Sequence, residues 1–380
     1  MNYKLMLRTL GRTLQLEALC LLLPLVVCLI YREDPKPFLY TIGLVGLLGS
    51  LLVRLRARPD FFSREGFAVV GLIWVFLSLF GALPFWFSGE FASFADCFFE
   101  IVSGFTTTGA SILRDVEALS RGLLFWRSFT HWIGGMGVLV FIMAILPMAG
   151  DRSMHVMRAE VPGPSVGKLV PRARHTAILL YSIYLVLTIA EILFLLAGGM
   201  PFFDSLVHAF ATAGTGGFSI KNASIGFYNS AYLEGVITVF MLLFCVNFNL
   251  YFLLLMRDFR QFFKSEELRV YLLTALGSML LIAVNILPEA GNFGTAFRQS
   301  SFQVSSVMTT TGFATVDFNL WPEFSRTILF MLMILGACGG STGGGLKVSR
   351  AIILAFRPRS GAAGASPRRG LRAAGWPTGG

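Results

Sequence analysis

Apolar positions in this chain run in long unbroken stretches, well beyond the period of an amphipathic helix or an alternating strand. At about 20 apolar residues per membrane-spanning helix, eight stretches qualify: roughly 14–31, 37–54, 67–88, 124–149, 176–199, 232–256, 269–287 and 326–356, the last being the least regular. Three connections interrupt this pattern in the same way, with a short amphipathic piece followed by a run of Thr and Gly. They read FADCFFEIVSGFTTTGAS, FFDSLVHAFATAGTGGFS and SFQVSSVMTTTGFAT. The amphipathic pieces are too short to cross a bilayer, so each is predicted to enter and leave on one side. The expected fold is an all-α polytopic membrane protein built from tandem repeats of span, re-entrant pore helix, filter and span.

Composition agrees with this pattern: 55% hydrophobic residues, 14% charged residues and a mean hydropathy of +0.71 exclude an ordinary soluble globule. The net charge of +10 is explained by where Lys and Arg fall, since cytoplasmic loops carry an excess of them. One side collects Lys4, Arg8 and Arg12; Arg54, Arg56, Arg58 and Arg64; Arg152, Arg158, Lys168, Arg172 and Arg174; and Arg257, Arg260, Lys264 and Arg269. The other side has chiefly Arg32, Lys36, Arg114, Arg121, Lys221 and Arg298. This alternation places the N-terminus in the cytoplasm and leaves no basic patch on a soluble module for nucleic acid. The first apolar stretch follows basic residues but lacks a small-residue cleavage site before YREDPKP, and reads as an uncleaved anchor. Cys20, Cys28, Cys97, Cys245 and Cys338 stand singly in apolar sequence, as buried small side chains and neither a disulfide framework nor a zinc site.

Backbone outside a helix at membrane depth leaves N–H and C=O groups unpaired, so it survives only when buried in protein or lining a watery cavity. A Thr/Gly run has small side chains and one residue free to take positive φ, which lets successive carbonyls turn toward an axis and replace an ion's hydration shell. Aligned by letter, Thr106 to Ala110 lie over Ala213 to Gly217 and over Thr309 to Phe313, with one glycine common to all three. The candidate potassium-binding filter is then Thr107, Thr108 and Gly109; Gly214, Thr215 and Gly216; and Thr310, Thr311 and Gly312. Ordinary Gly/Thr loops, or small residues that let helices approach closely, would explain one copy. Three copies at matching places on one face favour a pore. A fourth run, GACGGSTGGGLK, has five glycines among Gly339, Gly340, Ser341, Thr342, Gly343, Gly344 and Gly345, and should break the last helix inside the membrane, at about 1 kcal/mol per Gly against Ala. It fails the phosphate-loop pattern, because Leu346 separates Gly345 from Lys347 and no strand precedes it. It reads as a movable barrier or as a flexible helix end.

These motifs, together with ATAGTGGFSIKNASIGFYNS, FQVSSVMTTTGFATVDFNLWPEF, GACGGSTGGGLKVSR, WIGGMGVLVFIMAILPM and MRAEVPGPS, resemble the Trk-type potassium uptake family (TrkH/KtrB) over roughly residues 1 to 356. The resemblance implies a pseudo-fourfold pore with two extra helices in front, the filter glycines Gly109, Gly216 and Gly312, and residues 339–345 as an intramembrane gate. It also implies a homodimer, cytosolic nucleotide-binding regulatory subunits (TrkA/KtrA-like), and a place in the bacterial cytoplasmic (inner) membrane. No cofactor is expected on this chain, K+ being the transported ion. The domain organisation follows: 1–60, two extra N-terminal helices; 61–150, 170–257 and 265–356, pore repeats 1 to 3; 357–380, a basic tail. The family's fourth pore unit is not found after VSRAIILAF, where RPRSGAAGASPRRGLRAAGWPTGG follows. That tail reads either as a truncated or frameshifted product or as a disordered basic segment touching anionic lipid or a partner. With three filters the expectation is weak or absent uptake by this chain alone.

Among ionisable residues in apolar sequence, Glu191 and His131 are expected to form an interhelical polar contact. Asp96 and Asp204 are expected to cap or brace the short helices, with His208 near them, and Glu100 to make the outer mouth electronegative. No paired carboxylates, Ser/His/Asp set or HExxH motif is present, so no enzyme is expected. The rivals are a non-conducting fragment, and a secondary solute transporter, whose halves are usually inverted whereas these repeats share one orientation.

Overall fold

The computed structural model describes residues 3–55, 63–137 and 173–356. The basic positions Arg56, Arg58, Arg152, Arg158, Lys168 and Arg172, the tail 357–380, MRAEVPGPS, and residues 138–149 of the stretch expected at 124–149 lie outside the described residues.

Among the described residues the chain is helical, with no strand. Helices α1 (Tyr3–Cys20) and α2 (Leu22–Tyr31) form one long apolar run, and α3 (Lys36–Val53) returns beside α1. Their close approach is set by small residues, for a Cβ on Gly11 would meet the Gly49 carbonyl and one on Gly49 the Gly11 carbonyl, each at 2.9 Å.

Each of the three Thr/Gly runs then follows the same plan of span, short helix, Thr/Gly strand and second span. The first consists of α4 (Ser63–Gly81) with α5 (Leu83–Ser88), α6 (Phe94–Phe105), and α7 (Arg121–Gly135). The second consists of α8 (Ala173–Ala197), α9 (Phe202–Ala213), and α10 (Ala231–Phe244) with α11 (Phe248–Leu255). A short α12 (Phe259–Lys264) leads to α13 (Glu266–Asn285), α14 (Leu287–Ala290), α15 (Phe293–Met308), and α16 (Glu323–Leu335) with α17 (Val348–Phe356).

Five helical runs among the described residues are long and apolar enough to cross a membrane, and α10 with α11 make a sixth if counted as one span. Two expected spans are broken. The stretch 232–256 bends by 90° at residues 245–247. The Asn247 side chain starts the next helix by accepting from the Asn249 N–H, a new N-cap in mid-span. The stretch 326–356 is broken by an irregular loop from Gly336 to Lys347, somewhat longer than residues 339–345. Leu47, Val186, Leu273 and Val284 are each more than 60% exposed on helix surfaces, as side chains facing lipid are.

Candidate ion-conducting site

Sequence order alone sets up the local geometry: each short helix α6, α9 and α15 runs directly into its Thr/Gly strand. The helices are capped at their C-terminal ends by Thr106, Gly214 and Thr309. Their starts are capped by Ser93 and Asn292, which accept from the N–H groups of Asp96 and Thr295, and by Pro201. Asp96 and Asp204 therefore sit three residues past these caps, within the first turn, so that of the two expected roles, capping and bracing, neither takes the cap. There they complement the positive helix end, and the Asp204 carboxylate accepts the Tyr228 hydroxyl at 2.6 Å.

Backbone geometry corrects the alignment of the three strands. Thr108 N–H donates to Ser103 O at 2.9 Å, Gly216 N–H to Ala211 O at 3.0 Å, and Thr311 N–H to Ser306 O at 2.9 Å. The residue before each of these is a threonine in the left-handed region: Thr107 (φ 53), Thr215 (φ 53) and Thr310 (φ 59). The residue after each is a left-handed glycine: Gly109 (φ 74), Gly217 (φ 74) and Gly312 (φ 86). The structural equivalent of Gly109 and Gly312 is thus Gly217, and the letter alignment on Gly216 is out by one. Threonine in that region costs on the order of 1–2 kcal/mol, and strain repeated at the same step of three strands is of the kind retained for a function.

The strands converge. A Cβ on Gly109 would overlap the carbonyl oxygen of Gly216, and one on Gly217 the carbonyl of Thr311. Only glycine lets the backbones stand this close. Behind them, α7 presses in through its own glycines, since a Cβ on Gly134 would overlap the Phe105 carbonyl and one on Gly135 would reach Gly214 Cα at 2.5 Å. Among the described residues Gly312 has no neighbour within 4 Å at its Cβ position.

One position in each short helix, eight residues ahead of Thr108, Gly216 and Thr311, carries a buried polar side chain that holds the strand leaving the filter. Glu100 accepts from the Ser111 hydroxyl at 2.9 Å and the Ile112 N–H at 3.0 Å. His208 Nε2 lies 3.0 Å from the Ser219 hydroxyl, with Nδ1 2.8 Å from the Asp204 carbonyl; as that carbonyl only accepts, Nδ1 carries the proton and Nε2 accepts from Ser219. Gln303 Nε2 donates to Val316 O at 3.2 Å. Glu100 is therefore no mouth charge. It also accepts from Arg127 Nε at 2.6 Å, a pair with both side chains buried. The same guanidinium donates to Ser219 O at 3.1 Å and lies 3.4 Å from the Phe218 ring centroid, tying the first repeat to the second.

His131 and Glu191, both fully buried, do not make the contact expected of them. The His131 ring stacks on Phe218 with centroids 4.0 Å apart and occupies the space a Cβ on Gly216 would take.

The glycine loop lies against the starts of the second and third Thr/Gly runs. Thr215 Oγ1 donates to Thr342 O at 3.0 Å, and Gly344 N–H donates to Thr310 Oγ1 at 2.7 Å. On its other edge the loop fills the corner between α10 and α11. Cys338 N–H donates to Cys245 O, the Thr342 N–H and hydroxyl donate to Phe244 O, and Phe248 N–H donates to Gly340 O. Carbonyls orphaned where α10 stops are satisfied in this way.

The family model described as TrkH, cation transport protein, matches residues 40–360. The chain belongs to the TrkH cation transport protein family. Trk system potassium uptake protein TrkH of Halomonas elongata is 36% identical over 361 residues, covering 93% of this chain and 75% of the relative. The TrkH protein of Escherichia coli is 38% identical over 365 residues with the same coverage. Among solved structures, the potassium transporter TrkH from Vibrio parahaemolyticus superposes with a TM-score of 0.83 at 34% identity, over 94% of this chain and 75% of that one. The TrkH relatives are transport proteins and not enzymes, in keeping with the lack of catalytic residues in the sequence.

The sequence had singled out the filter runs and the glycine loop, and the fold brings both to one place. Arg127 and Gln303 were missed. An arginine inside an apolar stretch was a signal for the first; for Gln303 the only signal was its spacing from the filter.

Proposed function

We propose that this chain takes up potassium ions across the bacterial cytoplasmic membrane along the line where its three Thr/Gly strands meet. The carbonyls of Thr107, Thr108 and Gly109, of Gly214, Thr215 and Gly216 with Gly217 added, and of Thr310, Thr311 and Gly312 replace the water an entering ion sheds. The C-terminal ends of α6, α9 and α15 turn their partial negative charge to the same point, which favours a cation over an anion. The loop 339–345 gates the path from the cytoplasmic side. In this reading residues 1–60 are an accessory helix pair, 61–150, 170–257 and 265–356 are pore repeats, and the N-terminus is cytoplasmic. The chain works as a homodimer, with cytosolic nucleotide-binding subunits acting on the gate.

The observation that carries this reading is the contact of Gly109 with the Gly216 carbonyl and of Gly217 with the Thr311 carbonyl. Rubidium and sodium uptake into proteoliposomes tests it. Rubidium should pass in preference to sodium, and Gly217→Ser should reduce that preference by about tenfold, the factor for roughly 1.4 kcal/mol of lost discrimination. Equal passage of both ions, or a Gly217→Ser variant with unchanged preference, would overturn it.

A further inference from the structure

Lys347 closes the glycine loop on a left-handed backbone (φ 79), and is only 7% exposed. Its ammonium folds back on its own loop and donates to the carbonyl oxygen of Gly343. No carboxylate stands within ion-pair distance of it among the described residues. Glu267, the acid bonded to this loop, directs one oxygen to the N–H groups of Gly339 and Ser349, at 2.7 and 3.3 Å. A buried cation without a counter-ion is costly unless dipoles take its place.

The dipole that takes that place is the Gly343 carbonyl, and Gly343 itself sits against the filter region. A Cβ on Gly343 would lie 3.2 Å from the Thr309 carbonyl, the cap of α15, so the residue whose carbonyl Lys347 holds is packed against the negative end of a pore helix. The adjoining Gly344 is bonded to the Thr310 hydroxyl.

The geometry points to Lys347 as a tethered cation: its ammonium fills a cation site at the Gly343 carbonyl, beside the end of α15, that a potassium ion takes once the side chain withdraws. This rests on the reading of the chain as a potassium path with residues 339–345 as its gate. An ammonium and a potassium ion are both monovalent, of similar size, and satisfied by carbonyl oxygens. The tethered one therefore occupies the site and repels the next ion down the filter. Its four-carbon stem is flexible, and its backbone is bound to both sides of the loop, since Lys347 N–H donates to Leu335 O and Val348 N–H to Ala337 O. A shift of α17 relative to α16 would pull it out.

Lys347→Gln and Lys347→Met remove the charge, and Lys347→Arg keeps it. Two readouts are taken on purified protein: rubidium uptake into proteoliposomes, and the rise in thermal midpoint on exchanging sodium for potassium in detergent, which reports cation binding whether or not the chain conducts. The neutral variants should raise uptake by about fivefold to tenfold or enlarge the potassium-specific midpoint rise, while Lys347→Arg stays near the parent. Neutral variants that leave both readouts unchanged or lower them, or an arginine variant that behaves like them, would overturn the inference. Gly217→Ser runs alongside as a control. If it alters potassium preference while the Lys347 variants do nothing, only the tethered cation is lost; if it too is without effect, the potassium path itself fails.

Discussion

Gly109, Gly217 and Gly312 share a left-handed backbone but not their surroundings, and alanine substitution separates the two costs. At all three, a side chain on a positive φ is penalised by about 1–2 kcal/mol. At Gly312 the cost ends there, because nothing lies within 4 Å of the new Cβ among the described residues. At Gly109 the methyl would overlap the Gly216 carbonyl, and at Gly217 the Thr311 carbonyl. Both obstacles are backbone atoms, the Gly216 carbonyl lying in a run backed by α7, so they cannot swing aside as a long side chain can. Forcing atoms into a filled interior adds roughly 1–3 kcal/mol, for a total of about 2–5 kcal/mol at Gly109 and Gly217.

The assay is thermal unfolding of the detergent-purified chain, followed by the loss of its monodisperse size-exclusion peak. Membrane proteins unfold irreversibly in such scans, so the midpoints are compared as a ranking under one protocol. Gly109→Ala and Gly217→Ala should fall well below Gly312→Ala, by several degrees at about 2–4 °C per kcal/mol. If Gly312→Ala is as destabilising as the other two, or Gly109→Ala is silent, the strands do not abut as described.

Other consequences follow from single contacts. Gly216→Ala should destabilise through the His131 ring and not through its own backbone angle, and His131→Ala should recover much of the loss, a coupling read from a double-mutant cycle; additive losses would contradict the packing. Arg127→Met, which strands the buried Glu100 carboxylate, should cost about 3–5 kcal/mol, and adding Glu100→Gln should return part of it in the same unfolding assay. On the outer surface, the Lys221 ammonium bonded at 2.9 Å, helped by the Asn222 N–H, holds the exposed Glu117 carboxyl below its ordinary pKa. A depressed carboxyl stabilises the fold above its unfolded pKa, and the contribution fades as pH falls through the lower folded value. The midpoint difference between the parent and Glu117→Gln should therefore be present at neutral pH and vanish in acid; a difference that persists or grows in acid would refute the pairing.

Much of this architecture was legible because the bilayer makes demands a sequence cannot hide. A short amphipathic piece between apolar spans has few options in a membrane, and three Thr/Gly runs after such pieces marked the segments that the fold brings together. The register of the second run was not legible. AGTGG offers glycines on both sides of its threonine, and the letter match chose Gly216, whereas the backbone places Thr215 over Thr107 and Thr310, and Gly217 over Gly109 and Gly312. Dihedral angles, not letters, are what the three strands share. Glu100 was misjudged for a related reason: its charge invited a place at the mouth, but its partner Arg127 lies 27 residues on and meets it only in the fold. The same holds for Gln303, which carries no charge to attract notice.

The break in α10 and the break before α17 explain each other. A helix that stops at Phe244 inside the membrane leaves carbonyls without donors, and a glycine-rich loop has donors without acceptors. Joined, they satisfy one another through Cys338 and Thr342, the Gly340 carbonyl accepts the Phe248 N–H at the start of α11, and Thr342 and Gly344 reach Thr215 and Thr310. At about 0.5–1.5 kcal/mol net for each hydrogen bond, the six bonds that join the loop to α10, α11, Thr215 and Thr310 are worth roughly 3–9 kcal/mol. Reversing a gate from nearly always shut to nearly always open takes about 5.5 kcal/mol, within that range. The loop cannot leave dry, because both edges would then be unpaired at membrane depth; water must follow it in. Opening the proposed gate and wetting the path are consequently one event, and a bound partner that shifts α17 by a few kcal/mol has enough energy to drive it.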